Sequence, residues 1–187
     1  MKVLIPFTAG YNLRLTEIQL ARFSNIPQQT ASRQLNILAS RNLVDYTTQR
    51  RNKLFYLDFS KLTTQTLIQI LECHKSLEFQ QKVREAPLVI EELLNHFQGI
   101  VLFGSYASKK FDKQSDLDIV ILGKADKKKI KEMKKGFSIQ LNEHYVSYKE
   151  FEKSLKTRNP LALEILNNHI LFGDISGISR LMIEAVS

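Results

Sequence analysis

The chain of 187 residues contains a single cysteine, Cys73, which excludes an intramolecular disulfide and any zinc site built from several cysteines. This scarcity of cysteine favours a reducing compartment. No apolar stretch approaches the roughly 18 residues that a membrane span needs. The apolar run at the start is too short for a signal peptide. Together these absences predict a cytoplasmic protein with no membrane partner.

The sequence also lacks internal repeats and linkers rich in glycine, serine or proline, so its organisation must be inferred from changes in periodicity. It does have an excess of positive charge, with 27 Lys and Arg against 19 Asp and Glu and a net charge of +8. The excess is densest in residues 1–60, which carry eight basic and three acidic side chains. This balance suits a polyanionic partner, but many ordinary proteins share it.

Residues 1–60 predict a helix, a turn, a second helix and a hairpin. A short helix at 2–9 and a short strand at 13–15 come first, and Thr16 with Gln19 then fits a capping box that opens a helix. Ser24-Asn25 breaks this helix, Pro27 opens the next one, and Arg41-Asn42 ends it. The apolar positions are Ile18, Leu20, Ala21 and Phe23 in the first helix, and Ala31, Leu35 and Leu38 in the second. Strands at 43–46 and 53–57 flank a polar turn at 47–52.

This layout resembles the MarR/ArsR-like winged-helix regulators of prokaryotes over roughly residues 1–58. The resemblance is carried by the stretches from Leu15 to Ala21, Ile26 to Leu38 and Leu43-Val44. The resemblance implies binding to double-stranded DNA. With the apolar stripe inward, the side chains expected to reach base edges and phosphates are Gln28, Gln29, Ser32, Arg33 and Asn36. Arg50, Arg51 and Lys53 at the hairpin tip are expected to touch phosphates or a minor groove. A polar surface that contacts protein is the alternative.

Strands and helices alternate in the rest of the chain, which predicts a mixed α/β arrangement. One long connecting helix is expected at 61–85, with Leu67, Ile70, Leu71 and Leu77 on one side. Helices are further expected at 87–97, 125–135, 149–156, 161–167 and from 178. Strands are expected at 100–103, 116–122, 137–146 and 170–172. The fold class predicted for the whole chain is therefore α+β.

The most informative motif is an apolar strand that runs into Gly104-Ser105, followed eleven positions after Ser105 by Asp116-Leu117-Asp118. This pattern resembles the DNA polymerase beta-like nucleotidyltransferase superfamily, particularly its minimal prokaryotic members. The Arg-Gly pair that is frequent after the alanine in that family is replaced here by Ser108-Lys109. The resemblance implies that the domain binds a nucleoside triphosphate together with Mg²⁺.

Each motif residue has a physical reason for its position. Gly104 allows a sharp turn and a close approach to phosphate, and Ser105 with the following N–H groups offers hydrogen-bond donors to a triphosphate. Asp116 and Asp118 are two residues apart on a strand, so their carboxylates are expected to share a face and hold Mg²⁺. Asp116 and Asp118 are therefore the candidate catalytic and metal residues, and Gly104 and Ser105 the candidate nucleotide-binding residues. A pair of aspartates at a strand edge that merely aids solubility is the alternative.

A third carboxylate, which active members of this superfamily usually carry on a later strand, is absent or displaced. In the strand predicted at 137–146, the residues in phase with the two aspartates are the neutral Gln140 and Asn142. Glu143 is the nearest acid, and a shift of one residue directs its side chain to the opposite face. Catalytic activity therefore stays open.

Two other features have alternative interpretations. Seven lysines lie in or beside the helix expected at 125–135: Lys124, Lys127, Lys128, Lys129, Lys131, Lys134 and Lys135. They could contact nucleic acid or a triphosphate, or they could simply form a solvated helix face. The long connecting helix is expected to form the seam of a homodimer, since winged-helix regulators usually pair to read two half-sites. Packing against its own chain is the alternative.

The sequence thus predicts a winged-helix DNA-binding domain at 1–60, a connecting helix at 61–86 and a nucleotidyltransferase-like domain at 87–187. The first functional hypothesis is a transcriptional regulator whose second domain binds nucleotide and Mg²⁺, with or without turnover. The alternative is an active Mg²⁺-dependent nucleotidyltransferase that moves a nucleoside monophosphate from NTP to a hydroxyl of a protein or nucleic acid. A third, weaker hypothesis follows from the minimal family, whose domains sit beside toxin-type protein partners.

Overall fold

The computed structural model describes residues 2–112, 114–123 and 132–186. Helices and sheets are both present, which confirms the prediction of an α+β protein at that level. The chain divides into two compact units, one of Met1–Leu71 with Val186–Ser187 and one of Glu72–Ala185. Within the described ranges, no helix combines the length and the apolar character that crossing a bilayer requires.

The first unit begins with a 3₁₀-helix at Lys2–Ala9, where a regular helix was expected and Pro6 interrupts the hydrogen bonding. Its remaining elements are β1 (Leu15–Thr16), α1 (Glu17–Ser24), α2 (Gln28–Ser40), β2 (Asp45–Gln49) and β3 (Asn52–Tyr56). The three strands form an antiparallel sheet in the order β1-β3-β2. The hairpin strands extend further toward the turn than the sequence predicted, so only Arg50 and Arg51 connect them.

Local capping sets the ends of α1. The Thr16 hydroxyl accepts from the Gln19 N–H, and the Gln19 side chain accepts from the Thr16 N–H, which confirms the predicted capping box. Asn25 ends the helix in the left-handed conformation, at φ 51°. Leu20 and Ala21 are buried as expected, but Ile18 and Phe23 are exposed. Their outward position corrects the prediction, because only one side of this two-turn helix packs on the unit.

The helix α3 (Leu62–Lys82) begins in the first unit, and its residues from Glu72 onward belong to the second. The apolar pattern identified Leu67 and Leu71 correctly as buried, but Ile70 and Leu77 are about half exposed. The buried face instead includes polar side chains, among them Glu72 and Ser76. The pattern failed here because it counted only apolar residues as members of the packed face.

The second unit contains a four-stranded mixed sheet and five further helices among its described residues. Its elements are α4 (Glu85–Leu94), β4 (Gly99–Leu102), α5 (Gly104–Ala107), β5 (Leu117–Leu122), β6 (Leu141–Val146), α6 (Tyr148–Thr157), α7 (Pro160–Asn167), β7 (Ile170–Gly173) and α8 (Ile175–Val186). A 3₁₀ turn at Lys134–Gly136 precedes β6. The helix expected at 125–135 lies mostly outside the described residues.

The sheet of this unit has the order β6-β5-β4-β7, with β5 and β6 parallel and the other pairs antiparallel. Leu117, Ile119 and Ile121 point from β5 into a core that α4 covers with Ala86, Val89 and Leu93. The alternate residues of β5, Asp118 first among them, point to the other face. Asp118 thus lies on the face of the sheet opposite the core that α4 covers, and Val120 and Leu122 beyond it on that face are buried as well.

Two predicted boundaries need correction. The third strand of the motif begins at Leu141, not at Phe137, because Phe137 and Ile139 pack against the core without entering the sheet. The connecting helix ends at Lys82 rather than near Pro87, which sits in the first turn of α4. Proline is tolerated there because the first N–H groups of a helix have no partner within the helix.

Candidate functional site

Gly104 lies directly against the carboxylate of Asp118. It follows β4 at the start of α5 and has φ 66°, in the left-handed region that glycine adopts without cost. A Cβ at this position would collide with Oδ2 of Asp118. The backbone N–H of Phe103 also donates to the Asp118 carbonyl oxygen at 3.0 Å. The glycine of the motif is therefore what lets the chain turn past the aspartate.

The helix that Gly104 opens has only four residues, and Ser105 is half-buried in its first turn. Such a short helix has almost no macrodipole, so any ligand would be held by individual N–H and hydroxyl donors. Asn168 lies beside its C-terminal end, and with the side-chain amide oriented to satisfy both neighbours its nitrogen donates to the Ala107 carbonyl at 3.2 Å. The Asn168 carbonyl accepts from the Ser108 N–H at 2.9 Å. Sequence reasoning had assigned no role to Asn168.

The two aspartates of the motif differ in environment. Asp118 is the second residue of β5 and is half-buried, whereas Asp116 precedes the strand and is exposed. Both lie at the end of the sheet where β4 ends and where β5 and β6 begin. The structure thus brings Gly104, Asp116 and Asp118 to one end of one sheet.

Asn142 occupies the position in register with Asp118 on the neighbouring parallel strand. Its amide nitrogen donates to Oδ1 of Asp118 at 2.8 Å. This register confirms the prediction that a neutral residue stands in phase with the aspartates. The next side chain along this face is that of His144, whose ring lies 6.1 Å from the Phe103 ring, centroid to centroid. Gln140, the other neutral residue in phase, precedes the strand and is exposed.

Glu143 is directed away from this site. It pairs in register with Ile119, a residue of the apolar core, and therefore lies on the opposite face of the sheet from Asp118. Both of its carboxylate oxygens accept from Lys134 Nζ, at 2.7 and 2.6 Å. The acid nearest to the motif is thus ion-paired elsewhere.

The oxygen ligands at this end of the sheet suit Mg²⁺ bound together with a triphosphate better than a cation held by the protein alone. In the described part of the chain no cluster of three or more His, Cys, Asp or Glu could hold a metal ion. Mg²⁺ is commonly bound through one or two carboxylates, substrate phosphates and water. Asp116 and Asp118 supply two carboxylates, and the Asn142 amide keeps its carbonyl oxygen free of the bond to Asp118.

A buried polar pair that the sequence did not suggest connects α3 with the residue before β7. Glu72 and His169 are both fully buried, with Oε1 and Nε2 3.1 Å apart. His169 Nδ1 donates to the Ile165 carbonyl at 2.6 Å, which fixes the ring orientation. Lys75 Nζ lies 3.6 Å from the other Glu72 oxygen. Burial, together with the charge of Lys75, holds the pKa of His169 below its usual value.

The candidate DNA-contacting residues of the first unit are mostly on its surface. Gln28, Gln29, Arg33 and Asn36 of α2 are exposed, and Ser32 is half-buried. At the hairpin tip Arg50 and Arg51 are exposed. Lys53 is half-buried, with its ammonium 4.3 Å from the centre of the Tyr46 ring.

Of the seven clustered lysines, five lie outside the described residues, and Lys134 and Lys135 remain. Lys134 is paired with Glu143, which makes it a poor ligand for an outside anion. Lys135 is exposed.

The segment that carries this site also matches a known family. Residues 83–172 match the family model of the nucleotidyltransferase domain. No curated protein and no solved structure matches the chain. The matched range runs from the start of α4 to β7 and contains the glycine, serine and aspartates described above. This chain therefore contains a nucleotidyltransferase domain.

Proposed function

We propose that this protein is a cytoplasmic, DNA-binding transcriptional regulator. Its nucleotidyltransferase domain binds a nucleoside triphosphate with Mg²⁺ but does not transfer the nucleoside monophosphate to an acceptor. In this proposal the DNA-binding domain comprises residues 1–60, α3 is the connecting segment, and the remainder is the nucleotide-binding domain. The observation that carries the proposal is the Asn142–Asp118 hydrogen bond at the position where a third carboxylate would stand.

The nucleotide-binding half rests on the end of the sheet that carries the motif. Gly104 lets the backbone turn directly against Asp118, and Ser105 adds a hydroxyl and an N–H in the first turn of α5. Asp116 and Asp118 would hold Mg²⁺, which would neutralise phosphate charge. The protein's own contribution is to place two anionic groups and several donors at one end of β5.

The proposed absence of turnover follows from the chemistry of an amide. Transfer to a hydroxyl needs a group that activates the nucleophile, and a carboxylate can accept its proton whereas an asparagine amide cannot. Glu143 does not compensate, because it lies on the other face of the sheet and is bound to Lys134. An active nucleotidyltransferase remains the alternative function.

The test is incubation of the full chain with each common ribonucleoside triphosphate and Mg²⁺, followed by calorimetry and a pyrophosphate assay. We expect binding without pyrophosphate release, and weaker binding in Asp118→Asn. Glu164→Gln, which removes an exposed carboxylate on α7, is the matched control and should bind as the wild type does. Pyrophosphate release by the wild type that Asp116→Asn abolishes would establish the enzyme instead.

The DNA-binding half is supported by the order of elements in the first unit, two short helices followed by a hairpin, and by the side chains that α2 exposes. Glutamine, asparagine and arginine are the residue types that read base edges in a major groove. At the hairpin tip Arg50 adopts φ 56°, a left-handed conformation that costs a non-glycine residue roughly 1–2 kcal/mol. A cation held at such a position is consistent with a contact to phosphate.

Titration of double-stranded DNA by fluorescence anisotropy at several salt concentrations tests this half. Each phosphate contact adds about one to the slope of log affinity against log salt. We expect the double variant Arg50→Ala, Arg51→Ala to lower that slope by about two, and Arg33→Ala to reduce discrimination between sequences. Arg180→Ala removes an exposed charge from α8 and should leave both unchanged. An affinity that does not depend on salt would contradict DNA binding.

We further propose that the protein forms a homodimer through α3. Four apolar side chains are exposed on this helix, those of Leu62, Ile70, Cys73 and Leu77. Together with the exposed Thr66 they follow one another at spacings of four, four, three and four residues. The mean spacing of about 3.75 residues is close to the 3.6 residues of a helical turn, which places these side chains along one side of α3. Light scattering should give twice the chain mass, and Ile70→Glu should give the monomer. A monomeric wild type at micromolar concentration would contradict this proposal.

A further inference from the structure

A cavity of about 800 Å³ opens beside Asp116 in the second unit. Its wall is formed by the segment between α3 and α4, by the loop before β5 and by the residues that lead into β6. Gln140, which sequence reasoning considered only as a replacement for an acid, lines this cavity together with Asp116. The cavity thus shares Asp116 with the proposed nucleotide site and is large enough for a drug-sized ligand.

An aromatic stack forms part of the cavity wall. The rings of Tyr106 and Phe111 are parallel to within 8° and 4.3 Å apart, centroid to centroid. Tyr106 is 6% exposed, whereas Phe111 is 37% exposed. An aromatic side chain that borders a cavity, with one face of its ring stacked on a second ring, is suited to stack on another flat ring with its other face.

Asp112, the residue after Phe111, is hydrogen-bonded to two residues that lead into β5. Asp112 Oδ1 accepts from the Gln114 N–H at 2.9 Å and from the Ser115 hydroxyl at 3.0 Å. These bonds lower the pKa of Asp112, so its carboxylate is charged and keeps the turn at neutral pH. Phe111 therefore precedes a residue that these bonds hold in place, which reduces the conformational freedom that binding would remove.

The rest of the wall has the groups that a nucleobase and its phosphates need. Gln114 and Gln140 offer amide donors and acceptors for the edge of a base, and Lys82 and Arg84 offer positive charge. Glu85 and Asp116 add carboxylates, which favour an arrangement with the phosphates toward the Mg²⁺ site and not deep in the cavity.

We infer that the nucleobase of the bound nucleotide stacks on Phe111 in this cavity, while its phosphates extend to Asp116 and Asp118. This inference rests on the proposed function, because it assumes that the domain binds a nucleotide. It adds a specific base-binding residue that lies outside the glycine, serine and aspartate motif. Aromatic stacking tolerates any base, so affinity for all four nucleotides is expected to depend on Phe111.

The test compares four ligands of the full chain by calorimetry in the presence of Mg²⁺: ATP, CTP, inorganic tripolyphosphate and adenosine. Removing a stacked aromatic ring costs about a factor of ten or more in affinity. Phe111→Ala should therefore weaken ATP, CTP and adenosine about tenfold and leave tripolyphosphate unchanged. Phe111→Tyr, which keeps the ring, should restore the affinity. Leu163→Ala removes an exposed apolar side chain from α7 and should have no effect.

The outcomes separate this inference from the proposed function. Equal losses for ATP and tripolyphosphate, or none for ATP, in Phe111→Ala would overturn the stacking site. Loss of tripolyphosphate binding in Asp118→Asn tests the phosphate site independently. If adenosine binds in a Phe111-dependent way but tripolyphosphate does not bind, the base site stands and the proposed phosphate site fails. If none of the four ligands binds, both are wrong.

Discussion

The amide of Asn142 donates to Oδ1 of Asp118 at 2.8 Å from the in-register position on the adjacent parallel strand. The bond orients the Asp118 carboxylate and supplies no negative charge of its own. A carboxylate at the same place would repel Asp118 unless a cation lay between them. The amide therefore stabilises the site in the absence of metal. It leaves the site with two carboxylates where a carboxylate at this position would make three.

Asn142→Asp should introduce the missing acid. We expect this variant to release pyrophosphate from a nucleoside triphosphate with Mg²⁺, as the nucleoside monophosphate passes to water, whereas the wild type releases none above background. The reason is that the new carboxylate can accept a proton and complete a cation site. A labelled-nucleotide assay measures the release. Asn95→Asp, at an exposed position after α4, is the control and should stay at the wild-type level. An inactive Asn142→Asp that still binds nucleotide would show that more than one acid is lacking.

Gly104→Ala should damage both the fold and the site. The left-handed conformation costs alanine roughly 1–2 kcal/mol, and the new Cβ would displace the Asp118 carboxylate. We expect a lower free energy of unfolding in denaturant titration and a weaker affinity for nucleotide. Gly136→Ala provides the control, since a Cβ there meets nothing within 4 Å. Equal behaviour of the two variants would contradict the close approach of Gly104 and Asp118.

Glu72→Ala should strongly destabilise the second unit. It removes the carboxylate that contacts both Nε2 of the buried His169 and Nζ of Lys75. Glu72 forms its ion pair with the mostly buried Lys75, and removing one partner of a buried ion pair costs about 3–5 kcal/mol. Glu72→Gln keeps the shape and can donate to Nε2, so it should cost clearly less. The measurement is urea unfolding. The contact would be unimportant if the two variants had the same midpoint as the wild type.

Arg50→Asn should stabilise the hairpin while it weakens DNA binding. Asparagine tolerates the left-handed region better than arginine does, so the free energy of unfolding should rise by up to about 1 kcal/mol. Arg51→Asn removes the same charge at a position without positive φ, and should weaken DNA binding without stabilising the protein. Thermal unfolding and anisotropy give the two readouts. A stability gain shared by both variants would indicate relief of charge repulsion, not of backbone strain.

Sequence reasoning succeeded where the determining interactions are local. The capping box of Thr16 and Gln19 was identified because its partners are three residues apart. The phase of Asn142 relative to Asp118 followed from the two-residue period of a strand. Neither inference needed any knowledge of distant parts of the chain.

It failed where the partner is distant or where apolar residues pack outside regular structure. Glu72 and His169 are 97 residues apart, and no spacing rule connects them. Phe137 and Ile139 looked like the start of a strand because they alternate, yet they cover the core before β6 begins. The Tyr106–Phe111 stack was missed for a similar reason, since a loop of unknown shape separates the two rings.

The buried Glu72–His169 contact also restricts how α3 can be rotated about its own axis against the strand that follows His169. Apolar side chains tolerate small rotations of a helix, because one methyl group replaces another at little cost. The buried contact between the Glu72 carboxyl group and the His169 ring tolerates such rotations poorly, because a hydrogen bond depends on the direction of both groups. The two residues therefore favour one orientation of this end of the helix about its axis.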